Sequence, residues 1–307
     1  MTSPDSVEAA TQAIRALGAA WGPDVLKQTI DLFRPLHERG PAEGVARHAD
    51  IAYGTHARQM LDVFTGACAT SAPAGAPVVV FIHGGGFVQG ERSPVPGLFY
   101  DNVPTFFARN GCVAVNATYR LAPEHRWPSG AEDVGCVVHW VRENIARFGG
   151  DPDRIVLFGH SAGAAHVAAW TLVQRIHGDG GPRVAGAILL SGVYSVQHPR
   201  FHTGAATPNQ QAYYGEDASA WEGMATLGNV RRGHPPLFIG LAEYDPFPFA
   251  WPSVALAGEV TQCDRGAPRL RVVEDHNHIS TVLAIDSALD PLGPDLLRFV
   301  AQATVPA

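Results

Sequence analysis

The stretch RIVLFGHSAGAAHVAAW, residues 154–170, changes character halfway along. Its first part is a short run of branched and aromatic apolar residues, and its second part is made of small residues that favour a helix. The join is Gly159-His160-Ser161-Ala162-Gly163, a serine framed by glycines where a strand over RIVLFG gives way to a helix. A sharp strand-to-helix turn needs a backbone that few residues adopt, and glycines remove the Cβ atoms that would collide there. Such a turn pushes the hydroxyl out at the carboxyl edge of a sheet, at the positive end of the helix. The stretch predicts an α/β fold and makes Ser161 the candidate nucleophile. The plainer alternative is a glycine-rich turn with a helix-capping serine.

The same alternation extends in both directions. MLDVFTG (60–66), VVVFI (78–82) and CVAVNATY (112–119) read as strands before the turn, and VAGAILLSG (184–192), PPLFIGLAE (235–243) and RLRVVED (269–275) as strands after it. GAEDVGCVVHWVRENIARFGG (130–150) reads as a helix ending at glycines, and residues 281–303 as a closing helix interrupted near Pro291–Pro294. Strands alternating with helices predict a mainly parallel, doubly wound sheet joined by right-handed crossovers. Residues 1–46 space their apolar positions at three and four and are expected to form an N-terminal helical cap segment, with the catalytic domain over 47–307. Residues 194–235 are polar and aromatic and break the rhythm; an insertion of this kind is expected to shape a substrate pocket.

Composition narrows the function classes. Apolar residues make up 46% of 307, so a large core is expected rather than disorder. A formal charge of −7, from 22 basic and 29 acidic residues, argues against nucleic acid as a partner. Cys68, Cys112, Cys136 and Cys263 are scattered without a CxxC, which suggests free thiols in a reducing compartment. The N-terminal stretch lacks an apolar core of signal-peptide type, and no apolar run of about 18 residues suggests a membrane span. A cytoplasmic location is the expectation.

A second glycine cluster follows the strand VVVFI: His83-Gly84-Gly85-Gly86-Phe87. Consecutive glycines leave backbone N–H groups uncovered, and the oxyanion of an acyl-transfer intermediate needs such donors. Gly85, Gly86 and Ala162, the residue after the candidate nucleophile, are the candidate donors. A phosphate loop would want a following Lys-Ser/Thr, which this loop lacks. His83 is expected to orient the loop through hydrogen bonds. Phe87, His160, Tyr213, Tyr214 and Phe247 are candidates to line the substrate pocket.

Taken together, HGGGF (83–87), YRLAPEHRWPSGAEDV (119–134), residues 140–164 and LAEYDP (241–246) resemble the α/β-hydrolase carboxylesterases of the hormone-sensitive-lipase type. Residues 50–64 and HNHIS (276–280) are similar to a neighbouring group that includes feruloyl-esterase-like and arylformamidase-like hydrolases. The resemblance runs from about Asp50 to the C-terminus. It implies an eight-stranded, mostly parallel sheet with one antiparallel strand near the N-terminus, and the chain order nucleophile, acid, histidine. Arylformamidases usually carry a bulkier residue in the glycine loop, so three glycines favour a general esterase.

That order directs attention to two loops. After PPLFIGLAE, Glu243 and Asp245 compete as the acid; Asp245 matches the Asp-Pro of the family pattern, and Glu243 suits a structural hydrogen bond at a strand end. After RLRVV, His276 and His278 compete as the base; the family pattern of histidine, apolar residue, then Ser or Asp points to His278-Ile279-Ser280, with Ser280 expected to cap a helix. His276 is expected to be a loop residue or a neighbour of the site. With no third His or Cys at ligand spacing, no metal is expected. Arg120, Glu124 and Asp133 are expected to form structural ion pairs. The resulting expectation is a serine carboxylesterase with Ser161, Asp245 and His278, a small-molecule ester as substrate and no cofactor. An amidase, an arylformamidase or a carbamate hydrolase would use the same residues, and a non-catalytic binding module on this fold is the remote alternative. The resemblance includes dimers, so a homodimer stays open.

Overall fold

The computed structural model describes residues 4–37, 44–67, 75–197 and 206–305. The apolar runs become strands β1 (Val45–Ala52), β2 (Met60–Gly66), β3 (Ala76–Ile82), β4 (Val113–Ala117), β5 (Gly150–His160), β6 (Gly186–Leu190), β7 (Leu237–Tyr244) and β8 (Arg269–Asn277). They form one eight-stranded sheet in the order β1-β2-β4-β3-β5-β6-β7-β8. β2 is antiparallel to both of its neighbours, and every pairing from β4 to β8 is parallel. The fold class and the single antiparallel strand near the N-terminus are as expected.

β1 is the strand that the apolar pattern does not announce. It lies at the sheet edge with most of its residues exposed, so VARHADIA carries neither an apolar run nor an alternation. It starts at Val45, inside the segment expected to be helical up to residue 46. The described helices are α1 (Pro4–Leu17), α2 (Pro23–Phe33), α3 (Asn102–Arg109), α4 (Ser129–Asn144), α5 (Ala162–Leu172), α6 (Gln174–His177), α7 (Pro208–Tyr214), α8 (Trp221–Met224), α9 (Phe247–Asp264), α10 (Ser280–Leu283) and α11 (Gly293–Ala303). None of them is long and apolar enough to cross a membrane.

Because side chains alternate along a strand, each central strand feeds two cores. Val78, Val80 and Ile82 face one side and pack with Val134 and Val138 of α4, Val167 of α5 and Leu256 of α9. Val79 and Phe81 face the other side, with Phe107 of α3, Ile14 of α1, Phe33 of α2, Val282 of α10 and Phe299 of α11. The N-terminal helices thus contribute to a core of the sheet and end beside the carboxyl end of β8. Arg15 of α1 reaches Asp275 at 2.5 Å. Asn277 Nδ2 donates to Thr29 Oγ1 of α2 at 3.1 Å.

One buried carboxylate ties the antiparallel corner to the loop after β3. Asp62 of β2 is fully buried and meets Arg47 of β1 at 2.6 Å and Arg92 at 2.8 Å. Its Oδ1 also accepts the Asp50 N–H, while the Arg92 carbonyl accepts from Asn116 of β4. Removing one partner of a buried ion cluster leaves the others uncompensated. Asp62→Asn is therefore expected to lower unfolding stability by about 3 kcal/mol, read from the urea midpoint at neutral pH.

Candidate active site

Ser161 sits at φ 56 and ψ −120, a conformation uncommon for any residue with a Cβ. The flanking glycines make it attainable. A Cβ on Gly163 would collide with the carbonyls of Ile82 and His83 from β3 and its exit, and one on Gly159 would lie 2.5 Å from the Ala164 nitrogen. The Ser161 N–H donates to Leu190 O of β6 at 2.9 Å, which fastens the turn to the neighbouring strand. Helix α5 starts at the next residue and is buried along most of its length, so its N-terminal end meets the serine in a protected setting.

The two later loops bring an acid and an imidazole together. Asp245 Oδ1 lies 2.7 Å from His278 Nδ1, and both side chains are buried. Asp245 Oδ2 accepts from Ser191 Oγ at 2.7 Å and from the Ala242 N–H at 2.8 Å, so the carboxylate has a fixed orientation. His278 Nε2 is buried without a hydrogen-bond partner among the described residues. Glu243 instead accepts the Asp275 N–H at 2.8 Å, the structural role expected of it.

The turn that carries His278 is organised by Asn277. Its Oδ1 accepts the N–H groups of Ile279 and Ser280, and the Asn277 N–H donates to Ser280 Oγ at 2.9 Å. The cap of α10 is thus the asparagine side chain and not Ser280, which returns a bond to the asparagine backbone. His276 belongs to the end of β8 and not to a loop. Its Nδ1 faces the Glu274 carbonyl at 2.9 Å, its ring lies near Phe33 of α2, and burial lowers its pKa.

A buried chain of hydrogen bonds links the glycine loop, the serine turn and the histidine turn. His160 Nε2 is 2.9 Å from the His278 carbonyl, and its Nδ1 is 3.2 Å from Tyr100 Oη. Burial, reinforced by nearby His278, holds the His160 pKa well below 6.5, so the ring is neutral and has one N–H. A carbonyl can only accept, so that N–H is at Nε2; Nδ1 then accepts from the tyrosine hydroxyl. Tyr100 Oη in turn accepts the Gly84 N–H at 3.1 Å. His160 was expected in the pocket lining. It is instead fully buried beneath the site with both ring nitrogens engaged.

Gly85 and Gly86 both have positive φ, 136° and 60°, and a Cβ on Gly85 would collide with the Gln89 carbonyl. His83 Nδ1 contacts the Gly84 carbonyl at 2.6 Å and the ring stacks on Tyr119, in keeping with an orienting role. Beyond the loop, Phe87 stacks on Tyr213 of α7 with centroids 4.6 Å apart, and Tyr214 and Trp221 complete a buried cluster with Ala162. Tyr213 Oη reaches His166 Nδ1 at 3.3 Å. Phe87 and Tyr213 are packed in this cluster more as a wall than as an open lining. Phe247 is 54% exposed and neighbours Trp251. Two residues later, Phe249 stacks on the His278 imidazole with centroids 3.9 Å apart. Trp21, between α1 and α2, meets the same imidazole at 4.9 Å. Sequence reasoning missed both, and also Tyr100. The ion pair of Arg120 is with Asp133 and Glu132, not with Glu124.

Tyr100→Phe deletes a hydroxyl that serves both Gly84 and His160. The expected result is a loss of about 1–3 kcal/mol of stability, measured by urea unfolding. A separate expectation concerns acid. Burial lowers the pKa values of His83 and His166 to about 3, against 6.5 in the unfolded chain. The unfolded chain therefore binds more protons below 6.5, so the contribution of each ring is complete above that pH and is lost as the pH falls toward 3. Urea midpoints should fall between pH 6.5 and 5, before most carboxylates titrate, with each neutral buried ring adding about 1.4 kcal/mol per pH unit. His166→Gln should flatten that slope.

The geometry can be set beside known proteins. A family model described as alpha/beta hydrolase fold matches residues 79–259. The carboxylesterase NlhH of Mycobacterium tuberculosis is 35% identical over 187 residues, which cover 55% of this chain and 56% of that protein. The esterase LipC of the same organism is 37% identical over 142 residues, covering 44% of this chain and 34% of that one. The chain thus spans little more than half the length of these relatives at most. Among solved structures, a bacterial heroin esterase superposes with a TM-score of 0.69 at 23% identity, covering 99% of both chains. Esterase B from Lactobacillus rhamnosis superposes at 0.69 with 18% identity, covering 98% of this chain and 96% of that one. These structures share the fold.

Proposed function

The chain belongs to the alpha/beta hydrolase fold family, and we propose that it is a serine carboxylesterase working through an acyl-enzyme. The observation that carries this reading is the buried Asp245–His278 pair. One imidazole nitrogen is fixed by the carboxylate at 2.7 Å while the other has no partner among the described residues, Ser161 included, and the His278 ring packs 5.0 Å from that of His160, the neighbour of Ser161 on its strained turn. Asp245 keeps the proton on Nδ1, so Nε2 presents a lone pair and acts as the base. Ser161 Oγ gives its proton to Nε2 and bonds to the ester carbonyl carbon. The carbonyl oxygen gains the negative charge and is stabilised by the N–H groups of Gly85, Gly86 and Ala162. The C–O bond to the alcohol then breaks, and the imidazolium returns its proton to the departing oxygen. Water repeats the sequence on the acyl-serine, releasing the acid and restoring Ser161.

The N-terminal helices serve in this proposal as a cap against the histidine turn, and Tyr213, Tyr214 and Trp221, from the part of the 194–235 segment inside the described residues, as a wall beside the glycine loop; residues 198–205 lie outside the described residues. Small-molecule esters are the substrates. A cytoplasmic location belongs to the same reading, and the free thiols Cys112, Cys136 and Cys263 suit a reducing compartment.

Ser161→Ala is expected to abolish p-nitrophenyl acetate hydrolysis and covalent labelling by a fluorophosphonate probe while leaving the circular dichroism spectrum unchanged. Full turnover in that variant would sink the mechanism. His278→Ala should lose about 10³-fold or more in kcat, and His276→Ala less than about tenfold. The reverse order would move the base to His276.

A further inference from the structure

We propose that Trp21 and Phe249 form the subsite for the departing alcohol and that the alcohol they select is aromatic, making esters of benzyl-type alcohols the preferred substrates. This rests on the esterase reading, because the alcohol is located by the atom that protonates it.

The departing oxygen must come within hydrogen-bond reach of His278 Nε2. Side chains that flank this imidazole and remain accessible therefore flank the alcohol. Phe249 covers a face of the ring, with centroids 3.9 Å apart and planes 27° from parallel. Trp21 lies 4.9 Å from the imidazole at 89° and 5.2 Å from Phe249. These three separations close a compact triangle. Had Trp21 stood on the opposite face of the imidazole from Phe249, the two aromatic rings would be much farther apart. Trp21 is thus at the edge of the imidazole. The Nδ1 corner of that edge is taken by Asp245, so Trp21 borders the remaining perimeter, which Nε2 shares with Cε1 and Cδ2.

Trp21 is 55% exposed although it touches a residue that is 1% exposed. A large indole held at the rim of a candidate site, with most of its surface unused, is suited to receive a ligand. Two rings set at 62° form a corner that offers a third ring both edge and face contacts. An alkyl group of equal size would gain the buried area but not these oriented contacts.

The test compares benzyl acetate with cyclohexylmethyl acetate. The two differ in the flatness and π-system of the alcohol but leave as primary alcohols of similar size; benzyl alcohol is the slightly better leaving group, an offset carried equally by every variant, so the subsite is read from the change in the ratio on substitution. The unaltered chain is expected to favour benzyl acetate by about two- to tenfold in kcat/KM, the range of an aromatic pair beyond its area. Trp21→Leu should bring this ratio near one, while Trp21→Phe keeps most of it. The ratio of ethyl acetate to ethyl butyrate, which reads the acyl side, should stay within twofold in both variants. A ratio near one in the unaltered protein, or equal losses for both esters in Trp21→Leu, would overturn the subsite and leave the esterase reading standing. Binding supplies an arm independent of turnover. Ser161→Ala, titrated by NMR, should bind benzyl alcohol more tightly than cyclohexylmethanol, and adding Trp21→Leu should erase the difference. Equal affinities would count against the subsite even in a chain that hydrolyses esters, whereas undiminished hydrolysis by Ser161→Ala would count against the serine mechanism alone.

Discussion

Ser161 keeps its strained backbone only because its neighbours leave it no alternative. The Gly163 α-carbon is pressed against the carbonyls of Ile82 and His83, Gly159 against the start of α5, and the Ser161 N–H is bonded to Leu190. Three adjacent parallel strands, β3, β5 and β6, and the helix that follows must all be in register for these contacts to exist together. The same contact that permits the turn also positions the glycine loop, because His83, whose carbonyl meets Gly163, is the first residue of that loop. The proposed nucleophile and oxyanion donors are therefore set by one steric junction at the carboxyl end of the sheet, not by separate loops that must find each other. Backbone strain of this kind is supported by the whole central sheet.

The imidazole arrives from a distant part of the chain and needs its own connection to that junction. His160 supplies it from within the serine turn, donating to the His278 carbonyl and accepting from Tyr100, which holds Gly84. The chain works only with a neutral ring, since a protonated His160 would offer a second N–H to Tyr100 and force the hydroxyl to stop donating. Deep burial ensures neutrality through the pH range where a serine hydrolase would operate. A histidine between glycine and the serine thus gives a self-consistent set of donors and acceptors through all three segments.

The order of strands, the serine turn and the glycine loop were legible because each is written in local chemistry: branched apolar runs, and glycines where a Cβ cannot fit. The Asp245–His278 pairing was anticipated only through family resemblance, since acidic loops with histidines are common and spacing alone left Glu243 and His276 in contention. What could not be read depends on direction. Phe247 and Phe249 differ by two positions at the start of α9, and only the helix geometry decides which ring reaches His278. His160 reads as a candidate for the pocket lining until the turn aims it inward. β1 has no apolar signature because an edge strand beside an antiparallel neighbour can leave both faces to solvent. Asn277 reads as a loop polar residue, yet it caps α10 and contacts α2.

The N-terminal helices raise the question of what holds them to the histidine turn. The Arg15–Asp275 pair is the most visible link, but both partners are exposed and solvent screens them, so it contributes little. The apolar contacts are larger: Ile14, Phe33 and Leu36 are almost fully buried beside Val282 and Leu283, and each such side chain is worth about 1.5–3 kcal/mol on burial. Between these contacts lies the Asn277–Thr29 hydrogen bond, buried and therefore costly to leave unmade. Asn277 is also the residue that shapes the turn bearing His278. Displacing α1 and α2 would thus expose apolar surface, orphan the Asn277 amide and remove Trp21 from the imidazole in one event. The aromatic rim and the imidazole are coupled parts of a single packed unit, so any motion that opened the rim would also disturb the ring it surrounds.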